Sequence, residues 1–286
     1  MGSFSILNNI AGINAQNQLN LNNVNLSRTL LRLSSGRRIN TGADDAAGLQ
    51  IADSLKANTM ALNQAVRNAN DGIGVAQIAD GALAEMSNLL TRAVTLAEEA
   101  ATETVDDVGR ASLQTEFTAI QAEIAHIASQ TNFNGQYIFV PGTGVDGELS
   151  VFVGDMSNAS SIGVTIASIT TAGDTVTDIG GQDLTSVDIS DASQVAGSMT
   201  VIKDALSAVS NMRADIGAGI NRLQSAVAVL QNQAENTQAA ESNMRDANIA
   251  TEIANLTKYQ ILAQSGIAAL AQANSSSQAV LNLLRV

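Results

Sequence analysis

Residues 33–52 read LSSGRRINTGADDAAGLQIA, a short break between two long helical patterns, and the fold turns on how that break is read. Gly36 and Gly42 supply backbone freedom that a helix interior uses poorly. Thr41, Asp44 and Asp45 offer capping oxygens and negative charge to the start of a following helix. Arg37 and Arg38 stand in the gap, where a cation can bind a neighbour or the last carbonyls of the helix before. A phosphate-binding loop does not fit, because no Gly-Lys-Ser/Thr follows and no apolar strand precedes.

Upstream of the break, Ile6, Ile10, Ile13, Asn17, Asn20, Val24, Ser27 and Leu31 alternate at coiled-coil spacing. Two asparagines weaken that seam, and polar seam residues commonly fix register or partner number. Leu7, Leu19, Leu21, Leu26, Leu30 and Leu33 widen the apolar surface beyond one stripe, so this helix needs more than one partner. Alone it is marginal.

Downstream, a second helix is expected over 44–100. Ala52, Leu55, Thr59, Leu62, Val66, Ala69, Ile73, Ala76, Leu83, Met86 and Leu90 carry its seam. Gly72, Gly74 and Gly81 interrupt it at a cost of roughly 1 kcal/mol each, and the expected return is close approach of a neighbouring backbone. A third helix over 107–131 has Leu113, Phe117, Ile120, Ile124 and Ile127 in register. Residues 136–191 change character: QYIFV, ELSVFV, SIGVTIASI and LTSVDIS are β-type runs separated by Pro141, Gly, Asp and Ser, a small hairpin region. A fourth helix over 193–241 carries Val195, Met199, Ile202, Leu206, Val209, Arg213, Ile216, Ile220, Leu223, Val227 and Leu230. In the last segment Ile249, Ile253, Leu256, Gln260, Ala263, Ile267, Leu270 and Asn274 hold the same period, and NSSSQ is expected to loosen it before Val280–Val286. The fold class is mainly α: a long antiparallel helical coiled-coil bundle, a terminal helix pair plus a helical rod, with a small central β-hairpin region. Short connections make the first and last thirds antiparallel neighbours. At ~1.5 Å per residue the second helix would extend about 85 Å.

Composition narrows the function classes. The 286 residues contain no Trp and no Cys, and only 2% are aromatic, yet 45% are hydrophobic. Small apolar residues with abundant Asn and Gln suit close-packed helices better than a pocketed globule. A net charge of −13 argues against nucleic acid. No secretory leader is evident, and no apolar run reaches the ~20 residues that span a bilayer. The terminal helices lack the Lys/Arg face and aromatics of membrane-surface helices, so packing among copies is preferred.

Enzyme signals are thin. His126 is the sole histidine and reads as a helix-surface or packing residue. No HExxH, Cys/His zinc set or G-x-S-x-G is present. Asp146, Glu148 and Asp155 match no calcium loop and read as solvated turns. No catalytic, cofactor-binding or metal residue is assigned, and no cofactor is expected.

The break, following NNIAGINAQNQLNLNN, resembles the amino-terminal signature of bacterial flagellin. The end of the chain, ANIATEIANLTKYQILAQSGIAALAQANSSSQAVLNLLRV, resembles that family's terminal helix. The resemblance implies a short form without large outer domains. Residues 1–43 and 246–286 would form the inner helical domain, and 44–245 the surrounding rod with its hairpins. It further implies a structural subunit, not an enzyme, that self-assembles through its terminal helices into an extracellular filament serving motility. Inner-helix packing would involve Ile6, Ile10, Ile13, Val24, Leu31, Ile249, Ile253, Leu256, Ile267 and Leu270. Arg37, Arg38, Asn40, Asp44 and Asp45 are candidates for an inter-subunit loop. The implied partners are further copies of the chain, the flagellar type III export machinery with a cytoplasmic chaperone, and the filament-cap and hook-junction proteins. A vertebrate Toll-like receptor is a further implied partner, at Arg92, Leu96 and Glu116, although Val94 and Thr95 stand where receptor-activating members carry charge. A hook–filament junction protein is the alternative within the same class. A secreted pore-forming or adhesin coiled coil is the alternative from another.

Overall fold

The computed structural model describes residues 9–140, 145, 147–155, 159–172 and 175–283. Ile6, Pro141 and Asp146 lie outside the described residues. The chain is mainly α. Its helices are α1 (Ile10–Ser35), α2 (Ala46–Ala100), α3 (Asp107–Gln130), α4 (Val195–Arg245) and α5 (Ile249–Leu283). Its strands are β1 (Asn132–Phe133), β2 (Gln136–Tyr137), β3 (Glu148–Phe152), β4 (Ser161–Thr165), β5 (Ile169–Ala172) and β6 (Thr175–Ile179). Two compact units result, one made of Met1–Ala57 with Asn236–Val286 and the other of Asn58–Glu235.

In the second unit, α2, α3 and α4 enclose a core with the hairpins packed into it. On α2 the buried lanes are Leu62, Ala69, Ala76, Leu83 and Leu90, with Ala65, Ala79, Met86 and Ala93. One lane is as the sequence pattern predicts. The other is shifted by one residue: Ala65 lies deeper than Val66, and Gly72 deeper than Ile73. The same shift occurs on α4, where Ser198, Ala205, Met212 and Gly219 are buried while Met199, Leu206, Arg213 and Ile220 flank them. Helix separation is set by the side chains at the line of contact, so smaller residues at the centre let axes approach while larger neighbours wrap the flanks. Arg213, the charged exception in its seam, sits on such a flank and pairs with Asp80 of α2 at 2.8 Å.

The β region differs from the expectation in its pairings. Gln136–Tyr137 does not run on into ELSVFV; it pairs with Asn132–Phe133 across Asn134 and Gly135, both at positive φ. ELSVF pairs with SIGVT, with Val151 opposite Ile162, and β5 pairs with β6. LTSVDIS does not alternate in burial and forms no strand: Leu184–Ser186 is one 3-10 turn, so Leu184, Val187 and Ile189 are the buried residues. Its backbone partners are instead two glutamines of α3: Gln121 Nε2 donates to the Leu184 carbonyl at 2.5 Å, and the Ile189 N–H donates to Gln114 Oε1 at 2.8 Å. Apolar spacing alone does not say whether a strand, a turn or a side chain satisfies the backbone.

The helix glycines also separate. A Cβ at Gly72 would meet the Val151 side chain at 2.5 Å, and one at Gly219 would meet Val164 at 2.6 Å. Both are therefore cut away for the β3–β4 hairpin's side chains, not for a neighbouring backbone. Gly74 and Gly81 face open space. In urea unfolding, Gly72→Ala and Gly219→Ala should each destabilise by about 1–3 kcal/mol through overpacking. Gly74→Ala and Gly81→Ala should instead stabilise by about 0.5–1 kcal/mol.

Candidate functional site

The residues singled out for packing with other copies lie in the first unit. The break closes on itself there by local hydrogen bonds. Gly36, at φ 70°, stops α1 in the left-handed conformation. The chain then touches the junction of α4 and α5: the Arg38 N–H donates to Arg245 O at 2.7 Å, and the Ala247 N–H donates to Gly36 O at 2.9 Å. Arg38 Nη2 donates to Met244 O at 2.9 Å, so this cation serves the last carbonyls of α4, not those of the helix before it. Arg37 is exposed while its backbone bridges Asp246. Asn40 Nδ2 donates to Arg37 O at 2.9 Å.

The two acids divide their labour. Asp45 caps α2, accepting from the Gly48 N–H at 2.8 Å. Asp44 closes the loop, accepting from the Asn40 N–H at 3.3 Å and from both the N–H and the hydroxyl of Thr41 at 3.1 Å. Arg28 approaches the same carboxylate at 3.6 Å and Arg32 at 4.0 Å. Arg32 reaches on to Glu252 of α5 at 3.6 Å, which brings the loop and both terminal helices into one charged chain. Beneath the loop, Ile39 is fully buried.

The terminal helices pack on each other along a lane that the sequence pattern selected only in part. On α1 the inward residues are Gly12, Leu19, Asn22, Leu26, Thr29 and Leu33. On α5 they are Glu252, Leu256, Tyr259, Ala263, Gly266 and Leu270, of which Leu256, Ala263 and Leu270 belong to the seam read from the sequence. The described α1 seam residues and the isoleucines of the α5 seam face outward instead. Ile10 is 63% exposed, Ile13 51% and Val24 56%, with Leu31 alongside. On α5, Ile249, Ile253 and Ile267 (59%) are exposed, while Leu256 and Leu270 are half-buried. Leu21 and Leu30, which the sequence pattern placed beyond the first stripe, extend this outer apolar surface, as do Ile261 and Leu262, which the sequence reading did not assign. NSSSQ does not loosen α5, which continues to Leu283; Ser275 and Ser276 turn their hydroxyls to the Gln272 carbonyl, which keeps them compatible with the helix.

Elsewhere, Arg92 and Glu116 are joined at 2.8 Å on exposed faces of α2 and α3. Leu96 is not with them: it is 0% exposed and presents no surface to a receptor. His126 is exposed on α3. Among the described residues no group of three His, Asp or Glu side chains could hold a metal ion. Among the same residues, no helix is long and apolar enough to cross a membrane.

The comparisons agree with this geometry. A family model described as the bacterial flagellin N-terminal helical region matches residues 6–141, and one described as the C-terminal helical region matches 199–284. The chain is 36% identical to a flagellin of Halalkalibacterium halodurans over 98% of its own length and 99% of the relative's. It is 34% identical to flagellin FlaB1 of Treponema pallidum and 34% identical to the flagellin of Bacillus subtilis, each with 98% and 99% coverage.

The Asp44 carboxyl generates a pH prediction. Burial works against its charge, but the Thr41 N–H and hydroxyl, the Asn40 N–H and the Arg32 guanidinium outweigh that and hold its pKa below the usual 3.8. A depressed carboxylate contributes stability that is complete at neutral pH and is lost as pH falls through the folded-state value. The gap in unfolding midpoint between the parent and Asp44→Asn should therefore be widest near neutrality and close below about pH 4. Circular dichroism across that range measures it.

Proposed function

We propose that this chain, which belongs to the bacterial flagellin family, polymerises through its two terminal helices into a flagellar filament. The role is structural, and the filament is many copies of one chain. The observation that carries the proposal is the inverted packing of α1 and α5. Their shared lane holds Gly, Asn, Thr and Ala beside half-buried leucines, while Ile10, Ile13, Val24, Ile253 and Ile267 remain in water. Each half-exposed isoleucine or valine leaves on the order of 1 kcal/mol of burial unrealised. Further copies laid against the outer face would supply that burial, and any ligand that binds only the folded state stabilises it by mass action.

The family places such a subunit outside the cell, exported by the flagellar type III apparatus with a cytoplasmic chaperone. It is added beneath a filament cap beyond the hook-junction proteins. We extend those partners to this chain. Residues 1–43 and 246–286 then form the inner layer, and 44–245 the outer one. The exposed loop cation Arg37 is available to a neighbouring copy.

Negative-stain microscopy of purified chain, salted out with short filament seeds, tests the reading. Long tubes are expected from the intact chain and none from a chain lacking residues 246–286. Small rings or persistent monomer would favour a hook–filament junction protein instead. Ile13→Asp together with Ile267→Asp should raise the concentration needed for polymerisation by at least about tenfold, since two buried charges are introduced per contact. The urea transition of the second unit should stay unchanged.

A further inference from the structure

The inner lane of α1 repeats a single residue: Leu19, Leu26 and Leu33 stand at heptad intervals. In the structure Leu19 lies over Gly266, and a Cβ at Gly266 would be 3.9 Å from that of Leu19. Asn9 Nδ2 donates to Ala273 O at 3.2 Å, and Arg32 lies 3.6 Å from Glu252. These contacts define one antiparallel register. A slide of one heptad replaces Leu19 by Leu26 over Gly266 and leaves the apolar contact much as it was. The backbone bridge at Arg37 and Asp246 uses peptide groups that every residue carries. The opposite slide sets Gly12 over Gly266 and loses the leucine, so the leucines do not resist the first slide and the bridge resists neither.

The charges resist both. The charged residues of α1 are Arg28 and Arg32, and those of α5 are Glu252 and Lys258. A slide in one direction sets Arg32 level with Tyr259, beside Lys258; the other sets it level with Arg245, before α5 begins. Both strip Glu252 of its cation, and Glu252 is only 7% exposed. Its Oε2 and the Nε of Arg32 are buried without other hydrogen-bond partners among the described residues. Removing Arg32 leaves the Glu252 charge enclosed and without its cation, whereas removing Glu252 leaves the partly exposed Arg32 only Asp44; a buried acid with one cation is an arrangement in which a polar pair selects register.

We propose that Arg32 and Glu252 are positioning residues that fix the register of α1 against α5, with Asp44 tying the loop to the same guanidinium. The consequence for assembly rests on the filament reading above. Only in this register do the outer apolar rows of the two helices form the surface that another copy meets.

The chain has no cysteine, so an introduced pair in dilute solution oxidises only with itself. Leu19→Cys with Gly266→Cys reports the observed register, its 3.9 Å Cβ separation being suited to a disulfide. Leu19→Cys with Tyr259→Cys, or with Ala273→Cys, reports the two slides. In the full-length chain the observed-register pair should close at least about tenfold faster than either slid pair, and Glu252→Gln should reduce that preference to below about threefold. In the background of the observed-register pair, Glu252→Gln should also impair seeded polymerisation while the two introduced thiols are reduced, and oxidising them beforehand should restore it. A preference that Glu252→Gln leaves unmoved overturns the proposal. So does a parent chain with no preference, or a disulfide that fails to restore growth. Should the parent make no filaments at all, the filament reading falls, while the closure ratio still decides the register.

Discussion

A pair of helices whose shared lane carries glycine, asparagine, threonine and alanine beside its leucines leaves its isoleucines uncovered. The first unit depends on that constraint. Gly12, Asn22 and Thr29 are the most deeply buried residues of α1, with Leu19, Leu26 and Leu33 half-buried beside them, while Ile10, Ile13, Val24 and Leu31 are left exposed. In a free-standing globule this arrangement would be a folding error, because burial of large side chains is the main favourable term. In a subunit it is the requirement. The apolar face has to remain unfilled until another copy arrives, and the closed lane has only to hold the two helices together until then.

The second unit applies the same economy of size to the opposite purpose. There the small residues Ala65, Gly72, Ala205 and Gly219 are buried, and larger neighbours flank them. Val151 and Val164 of the β3–β4 hairpin point at the two glycines, so a two-stranded sheet too small to be stable alone is set into a recess in the helices. The strap over Leu184–Ile189 joins the same core through side-chain amides of α3 in place of a third strand.

Helix existence and order were readable because long apolar periods with Gly, Asn and Asp breaks are strong local signals; α3 and the start of α5 fall within a few residues of expectation. The lanes were less readable. Heptad spacing fixes a period but allows either of two adjacent residues to occupy the second lane, and hydrophobicity favours the larger one. Packing chose Ala65 over Val66 and Met212 over Arg213. On α1 the stripe beginning at Ile10 was correctly identified as apolar but faces away from α5, since sequence shows that a face is apolar and not which partner covers it. Hairpin pairings were not legible, because short strands carry no information on their partner beyond the turn between them. The Asn134–Gly135 turn was the one such signal present. Glu252 went unassigned although it is the sole acid of α5, a distinction visible in the sequence once the neutrality of the terminal helices is given weight.

The first unit is discontinuous in sequence and the second is one continuous segment; the chain passes between them at 57–58 and 235–236, each inside an unbroken helix. Neither crossing offers an extended stretch, so a protease must first open helical turns before it can cut there. One uninterrupted gene fragment could encode the second unit, its two ends cut inside helices, whereas the first unit would need two distant coding segments to be joined.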